Sequence, residues 1–309
     1  MSASEPGTVE LGASGIRIAP LGIGAMSWAN RTPLGYGGAD SPAAEAGALQ
    51  AALAAGMTLV DTAEAYARGR SGRRIGELAR DHPEVVIATK YAPYPYRSAQ
   101  ALPAALERSL ARLGRIDLYQ LHWKPRFVAL PSLMRLMVAA TRKERIRAIG
   151  VSNLGAADVR TAHAALAAEG IALASNQVQY SLVHRDPETD GTLRACRELG
   201  VTVIAYSPLA MGLLTGKYGP DRRPAGIRRL VPHFRARRLR ELEPLLALVR
   251  QIAERHHATP SQVALRWLIE QGAVPIPGAK NPHQAATNAR ALRLTLDPAE
   301  IGALSSRQS

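Results

Sequence analysis

Four residues able to do chemistry stand at or just past the ends of short apolar runs. Asp61 closes one run and Tyr66 follows it in Val-Asp-Thr-Ala-Glu-Ala-Tyr, Lys90 ends Val-Val-Ile-Ala-Thr-Lys, and His122 ends Asp-Leu-Tyr-Gln-Leu-His. A carboxylate and an ammonium at the ends of adjacent buried strands are expected to pair, since neither can stay charged without a partner there. A phenol beside that ammonium is expected to have a lowered pKa, nearer the range useful for donating a proton. Taken singly, each residue also has a structural reading: Asp61 as a helix cap, Lys90 as a strand exit, His122 as a satisfied core histidine. Their convergence depends on the elements that carry them.

Those elements alternate along nearly the whole chain. Apolar β-rich runs cover 18–24, 58–62, 85–90, 116–122, 146–153, 174–180, 201–207 and 273–278, and helix-length segments separate most of them. Leu102, Leu106, Leu110 and Leu113 show the helical spacing of three and four. Strict alternation implies parallel strands with crossover helices, and about eight of them is the number of a (β/α)8 TIM barrel, an α/β fold whose active site lies at the C-terminal strand ends. A doubly wound sheet alternates in the same way, but it needs a phosphate-binding fingerprint. Gly22 and Gly24 supply a Gly-x-Gly, yet Ser27 stands where the third glycine belongs, so the pair reads better as a strand end that lets backbone or ligand come close. Residues 8–18, with turn signals at Gly12 and Gly15, predict an N-terminal β-hairpin closing the barrel bottom. After the seventh strand, residues 212–240 form a long Pro-, Gly- and Arg-rich loop, expected to lack regular structure and to close over a ligand. The whole of 1–309 reads as one barrel domain.

Bulk composition narrows the function classes. Hydrophobic residues make up 47% and charged ones 21%, a globular balance, and no apolar run is long enough to span a bilayer. No secretory signal precedes residue 8, so a cytoplasmic protein without membrane attachment is expected. Cys196 is the single cysteine, which excludes an intrachain disulfide and a Cys-rich metal site, and its helical setting reads as a buried inert thiol. His256 and His257, adjacent on an expected helix, would point apart, and no metal is expected. The net charge of +14 favours anions, but the arginines are scattered and aromatics are few, so a phosphorylated small molecule is a better partner than nucleic acid.

On these residues the chain resembles the aldo-keto reductases. Segments 61–66, 87–90, 118–122, 150–153, 176–180, 205–209 and 275–278 look like that family's signature stretches in order, and 176–182 with 206–218 look like its bacterial, plant and channel-subunit branch. The resemblance implies reduction of an aldehyde or ketone by NADPH, with Asp61, Tyr66, Lys90 and His122 as a catalytic tetrad. Tyr66 would protonate the carbonyl oxygen, Lys90 held by Asp61 would tune it, and His122 would orient the carbonyl. It further implies that Ser152, Asn153 and Gln177 bind the carboxamide and that Tyr206 stacks on the nicotinamide. Ser207, Pro208, Leu209, Gly212 and Lys217 would line the pyrophosphate path, and Gly278, Lys280, Gln284 and Asn288 the adenosine end, with Lys280 facing a 2′-phosphate. Thr287 and Gln284 depart from residues common in the family, which bears on NADP over NAD. Trp28, Tyr91, Tyr96 and Trp123 lie near strand ends and would form an aromatic substrate wall. The same resemblance admits a second reading, an NADPH-binding redox sensor or partner-binding barrel with little turnover.

Overall fold

The computed structural model describes residues 7–29, 42–94, 98–143, 145–225 and 229–306. An antiparallel hairpin of β1 (Val9–Glu10) and β2 (Arg17–Ile18) precedes an eight-stranded parallel sheet. The sheet is β3 (Ile23–Gly24), β4 (Leu59–Asp61), β5 (Val86–Tyr91), β6 (Leu118–Leu121), β7 (Ala148–Ser152), β8 (Leu173–Gln179), β9 (Thr202–Tyr206) and β10 (Ala273–Pro275), in unbroken sequence order. Helices α1 (Pro42–Leu53), α2 (Arg70–Leu78), α3 (Ala101–Leu113), α4 (Leu130–Arg142) and α5 (Ala156–Ala167) connect successive strands from β3 to β8. Then α6 (Asp186–Thr189) and α7 (Thr192–Glu198) lead to β9, and α8 (Ala236–Arg255) and α9 (Pro260–Glu270) lead to β10. The chain ends on α10 (Pro282–Ala289) and α11 (Pro298–Ser306). Among the described residues no helix is long and apolar enough to cross a membrane.

The sheet curls until its edges meet. Gly22 and Gly24 donate their N–H groups to the carbonyls of Pro275 and Pro277 at 3.0 and 3.1 Å, and Gly24 bridges Gly278 in parallel. A Cβ on Gly24 would stand 2.8 Å from the Ile276 carbonyl oxygen, so only glycine permits this seam. The Gly-x-Gly is thus a site of close backbone approach.

Each strand is buried on both faces, and alternation sorts its residues between two cores. Val60, Ile87, Tyr119 and Leu121 pack outward against the helices. Leu59, Val86, Ala88, Leu118 and Ile204 fill the barrel interior. Leu11, Ile16 and Ile18 of the hairpin join this inner cluster and plug its lower end, and Gly12 N–H donates to Thr202 Oγ1 at 2.8 Å.

Three local expectations change. Ile18, read both as the end of the hairpin and as the start of the first barrel strand, belongs to the hairpin alone, because the chain turns between β2 and β3. The stretch 212–240 is more regular than its composition predicts. It contains the end of a 3-10 segment at Ala210–Thr215, a bridge between Gly219 and Arg222, a 3-10 turn at Pro232–Phe234, and the start of α8. Fully buried Phe234 ties it to the barrel, while residues 226–228 fall outside the described set. Finally, His256 and His257 do not share a helix. His256 caps α8 and pairs with Glu300 at 2.8 Å, while His257 has a left-handed φ of 50°.

Candidate active site

The alternation that builds the apolar interior also places the reactive groups. Leu59 and Asp61, Val86, Ala88 and Lys90, and Leu118, Gln120 and His122 lie two residues apart along β4, β5 and β6. Each series therefore shares one inward face and turns from apolar to polar as it nears the C-terminal rim. Tyr66 arrives differently. It opens a 3-10 turn after β4, held by Tyr66 N–H to the Ala63 carbonyl at 3.1 Å, and the next residues, Ala67 and Arg68, take left-handed φ values of 49° and 55°. Non-glycine residues in this region are strained, a feature that concentrates at functional sites.

Asp61 and Lys90 form a buried ion pair, Nζ to Oδ1 at 2.5 Å, and Lys90 also donates to the Thr62 carbonyl at 2.8 Å. The ammonium lies 5.1 Å from the Tyr66 ring centroid. His122 meets Tyr66 edge-on, with ring centroids 5.9 Å apart. The four residues read from the sequence thus meet in one place.

Burial would strip Lys90 of its proton, but the charge of Asp61, and after it Tyr66, more than offsets this and holds the ammonium above its ordinary pKa. His122 goes the other way. Burial first, and then the neighbouring Lys90 charge, press its pKa down from 6.5 to about 3, so the imidazole is neutral at physiological pH. The expectation for Tyr66 is reversed in sign: burial raises its pKa, Asp61 adds to the rise, and the ammonium opposes it without overcoming it. The phenol therefore stays protonated throughout the neutral range.

Around this centre the rim is knit by hydrogen bonds. Exposed Asn153, at a left-handed φ of 58°, donates from Nδ2 to the His122 carbonyl at 3.0 Å and to Ser152 Oγ at 3.1 Å, and accepts from the Tyr206 hydroxyl at 3.0 Å. Tyr206 is half-buried and held at its hydroxyl. Ser152 lies beneath, its Oγ donating to the Gln177 carbonyl at 2.8 Å, and Gln177 Nε2 reaches Asp61 Oδ2 at 2.9 Å. Past β9, Ser207, Ala210 and Met211 are again left-handed, with buried Pro208 and half-buried Leu209 between them and Gly212 next.

A model of the Aldo/keto reductase family matches residues 20–307. The chain belongs to the aldo-keto reductase family. An uncharacterized oxidoreductase of Mycobacterium tuberculosis is 42% identical over 300 residues, 93% of this chain and 88% of the relative. A chloroplastic pyridoxal reductase of Arabidopsis thaliana is 37% identical over 303 residues, 91% and 81% of the two chains. Among solved structures, a thermostable aldo-keto reductase bound to the inhibitor epalrestat is 30% identical with a TM-score of 0.77, covering 97% of this chain and 98% of its own. The fold is also that of a glycerol dehydrogenase from Gluconobacter oxydans, with a TM-score of 0.83 at 24% identity over 98% and 94% of the chains. Membership implies carbonyl reduction with a nicotinamide cofactor.

For an aldo-keto reductase, the rim suits such a cofactor. Half-buried Tyr206, fixed at its hydroxyl by Asn153, is an aromatic side chain of the kind on which a flat partner stacks. Gly278 is exposed, with no atom nearer to an added Cβ than 3.8 Å, so a ligand can approach its backbone. Half-buried Lys280 precedes α10, whose cap Asn281 Oδ1 accepts from Gln284 N–H at 2.9 Å. Gln284 in turn accepts from Lys280 N–H at 2.9 Å, so its carboxamide shapes the loop; Asn288 is buried and Lys217 exposed.

The aromatic wall needs correction. Trp28 is 1% exposed and donates from Nε1 to the Ala279 carbonyl at 2.7 Å, and Tyr91 is likewise 1% exposed, so neither presents its ring to a ligand. Tyr91 directly follows inward-facing Lys90, so it faces the helices. Trp123 is half-buried beside His122, centroids 4.6 Å apart, and its second aromatic neighbour is Tyr94 at 5.6 Å in an edge-on contact. Tyr94 carried no signal beyond its position three residues past a strand end. Tyr96 lies outside the described residues. Gln120, fully buried, also escaped the sequence reading, although a polar residue on the inward face between Leu118 and His122 is itself a signal.

Proposed function

We propose that this chain is an NADPH-dependent reductase of aldehydes or ketones in which Tyr66 is the proton donor. The observation that carries the reading is the fully buried Lys90–Asp61 pair set beneath the Tyr66 hydroxyl, beside an uncharged His122. A buried ion pair is a poor source of stability and a good way to fix a charge next to a reacting group. NADPH, when bound, supplies the hydride that adds to the carbonyl carbon. As charge develops on the carbonyl oxygen, the Tyr66 O–H bond breaks and its proton passes to that oxygen, leaving the electron pair on the phenolate. Lys90 stabilises that phenolate until solvent returns a proton. An alkoxide is far more basic than a phenolate, so transfer runs downhill even though burial raises the tyrosine pKa. Neutral His122 acts as a hydrogen-bond donor that orients the carbonyl oxygen.

Ser152, Asn153 and Gln177 would hold the carboxamide, Tyr206 the nicotinamide face, and Ser207, Pro208, Leu209, Gly212 and Lys217 the pyrophosphate. Gly278, Lys280, Gln284 and Asn288 would hold the adenosine end, with Lys280 favouring the 2′-phosphate of NADPH. Trp123 and Tyr94 favour flat carbonyl compounds, in keeping with the relative named pyridoxal reductase. The direct test is oxidation of NADPH against a panel of aromatic and aliphatic aldehydes that includes pyridoxal, repeated with NADH. Turnover of aromatic aldehydes with NADPH preferred is expected. No turnover of any carbonyl despite tight NADPH binding would overturn the reading.

A further inference from the structure

We propose that Gln120 is a positioning residue for this reaction. Its side-chain amide, together with that of Gln177, holds the buried Asp61 carboxylate in the orientation that keeps the Lys90 ammonium turned toward Tyr66. The inference rests on the reading of Tyr66 as the acid.

Asp61 is held on both oxygens. Oδ1 accepts from Lys90 at 2.5 Å, while Oδ2 accepts from Gln177 Nε2 at 2.9 Å and from Gln120 Nε2 at 3.2 Å. The two amides are linked to each other, Gln177 Nε2 to Gln120 Oε1 at 3.3 Å. With donors on both sides the carboxylate cannot rotate about its terminal bond without breaking one of these contacts. Its pull on Lys90 is therefore fixed in direction, and the rest of the ammonium stays available to Tyr66.

The three residues come from alternate strands, β4, β6 and β8, which is how barrel interiors are layered. The layer below is apolar, with Leu59 and Leu118 two residues earlier on the same inward faces as Asp61 and Gln120. An apolar residue at 120 would extend that packing. A fully buried amide instead loses its contact with water, which hydrogen bonds must offset, and those it makes are to Asp61 and Gln177. Room for it is provided across the sheet by Gly150. A Cβ there would lie 2.9 Å from Gln120 Cγ and would also collide with Ser175 Oγ.

The test uses the full chain with Gln120→Met, which keeps length and volume but has no donor, and Gln120→Glu, which keeps shape and donates only when protonated. Two readouts are taken. The first is the Lys90 ammonium signal in protein labelled with ¹⁵N-lysine, assigned by its absence in Lys90→Met. The second is the pH profile of kcat for aldehyde reduction, with NADPH affinity measured by fluorescence titration. In Gln120→Met the Lys90 signal is expected to shift and kcat to fall roughly tenfold at unchanged NADPH affinity, the scale of a lost hydrogen bond to a charged group. In Gln120→Glu, kcat is expected to approach wild type in acid and to fall as pH rises. If Gln120→Met does not fold, the pH dependence of Gln120→Glu decides the matter. An unmoved Lys90 signal, or wild-type kcat and pH profile in folded variants, overturns the proposal. If wild-type protein reduces no carbonyl, the reading of Tyr66 fails separately, and the Lys90 signal alone decides whether the clamp exists.

Discussion

The two ends of the barrel share the same strands and the same inward face, yet they carry backbone strain to different degrees. At the lower end Gly56, Gly114, Gly170, Gly200 and Gly272 take the left-handed φ at the turns that lead from a helix into the next strand. Glycine adopts that conformation without a Cβ clash, so these turns are cheap. At the upper rim Gly69, Gly212 and Gly216 are left-handed as well, but so are Ala29, Ala67, Arg68, Asn153, Ser207, Ala210 and Met211, where each conformation costs about 1–3 kcal/mol. The interiors differ in the same sense, since Leu11, Ile16 and Ile18 fill the bottom with apolar surface while the top holds a buried charge pair. The lower end is made for stability and the upper end gives some of it up to hold reactive groups in place.

Lys90→Met should break this division most severely, because it touches both properties. It leaves Asp61 buried without its cation, and a loss of about 3–5 kcal/mol of stability is expected. Carbonyl reduction should fall roughly a hundredfold to ten-thousandfold. Chemical denaturation and steady-state kinetics on the same preparation check the two effects. A stable and active variant would show that the pair does no chemical work.

Leu11→Ala sharpens the contrast from the other end. It opens a cavity in the hairpin plug and should cost about 2–5 kcal/mol, seen as a lower denaturation midpoint. Below that midpoint kcat and KM should match wild type. A large fall in kcat would mean that the two ends are mechanically coupled.

A third effect is one of pH. His122 titrates at about 3 in the folded protein and near its ordinary 6.5 when unfolded, so between these values the unfolded chain binds a proton that the folded chain refuses. Its contribution to stability is constant above about 6.5 and is lost as pH falls toward 3. His122→Asn should therefore flatten the fall in denaturation midpoint across that window. A curve parallel to wild type would show that the histidine is not held neutral.

What could be read in the sequence follows the same division. The inward face was legible because alternation is local: Leu118, Gln120 and His122, or Val86, Ala88 and Lys90, need only a period of two. The same rule turns Tyr91 away from the site, so its burial was available to that logic and was overlooked. Trp28 was not legible, since its indole is held by Ala279 from the far end of the chain. The start of α8 was hidden by its first turn of arginines, although Leu239, Leu242, Leu246 and Val249 carry the helical spacing of three and four. The sign of the Tyr66 pKa shift could not be foreseen, because residue types indicate the ammonium but not how much water the fold removes.

The central claim is that the Tyr66 hydroxyl delivers the proton and does not hold the cofactor. It is tested most directly in Tyr66→Phe, by measuring NADPH affinity through fluorescence titration and aldehyde reduction at saturating NADPH on the same protein. The account predicts an unchanged dissociation constant with kcat lowered roughly a hundredfold or more. Wild-type kcat in this variant would contradict it.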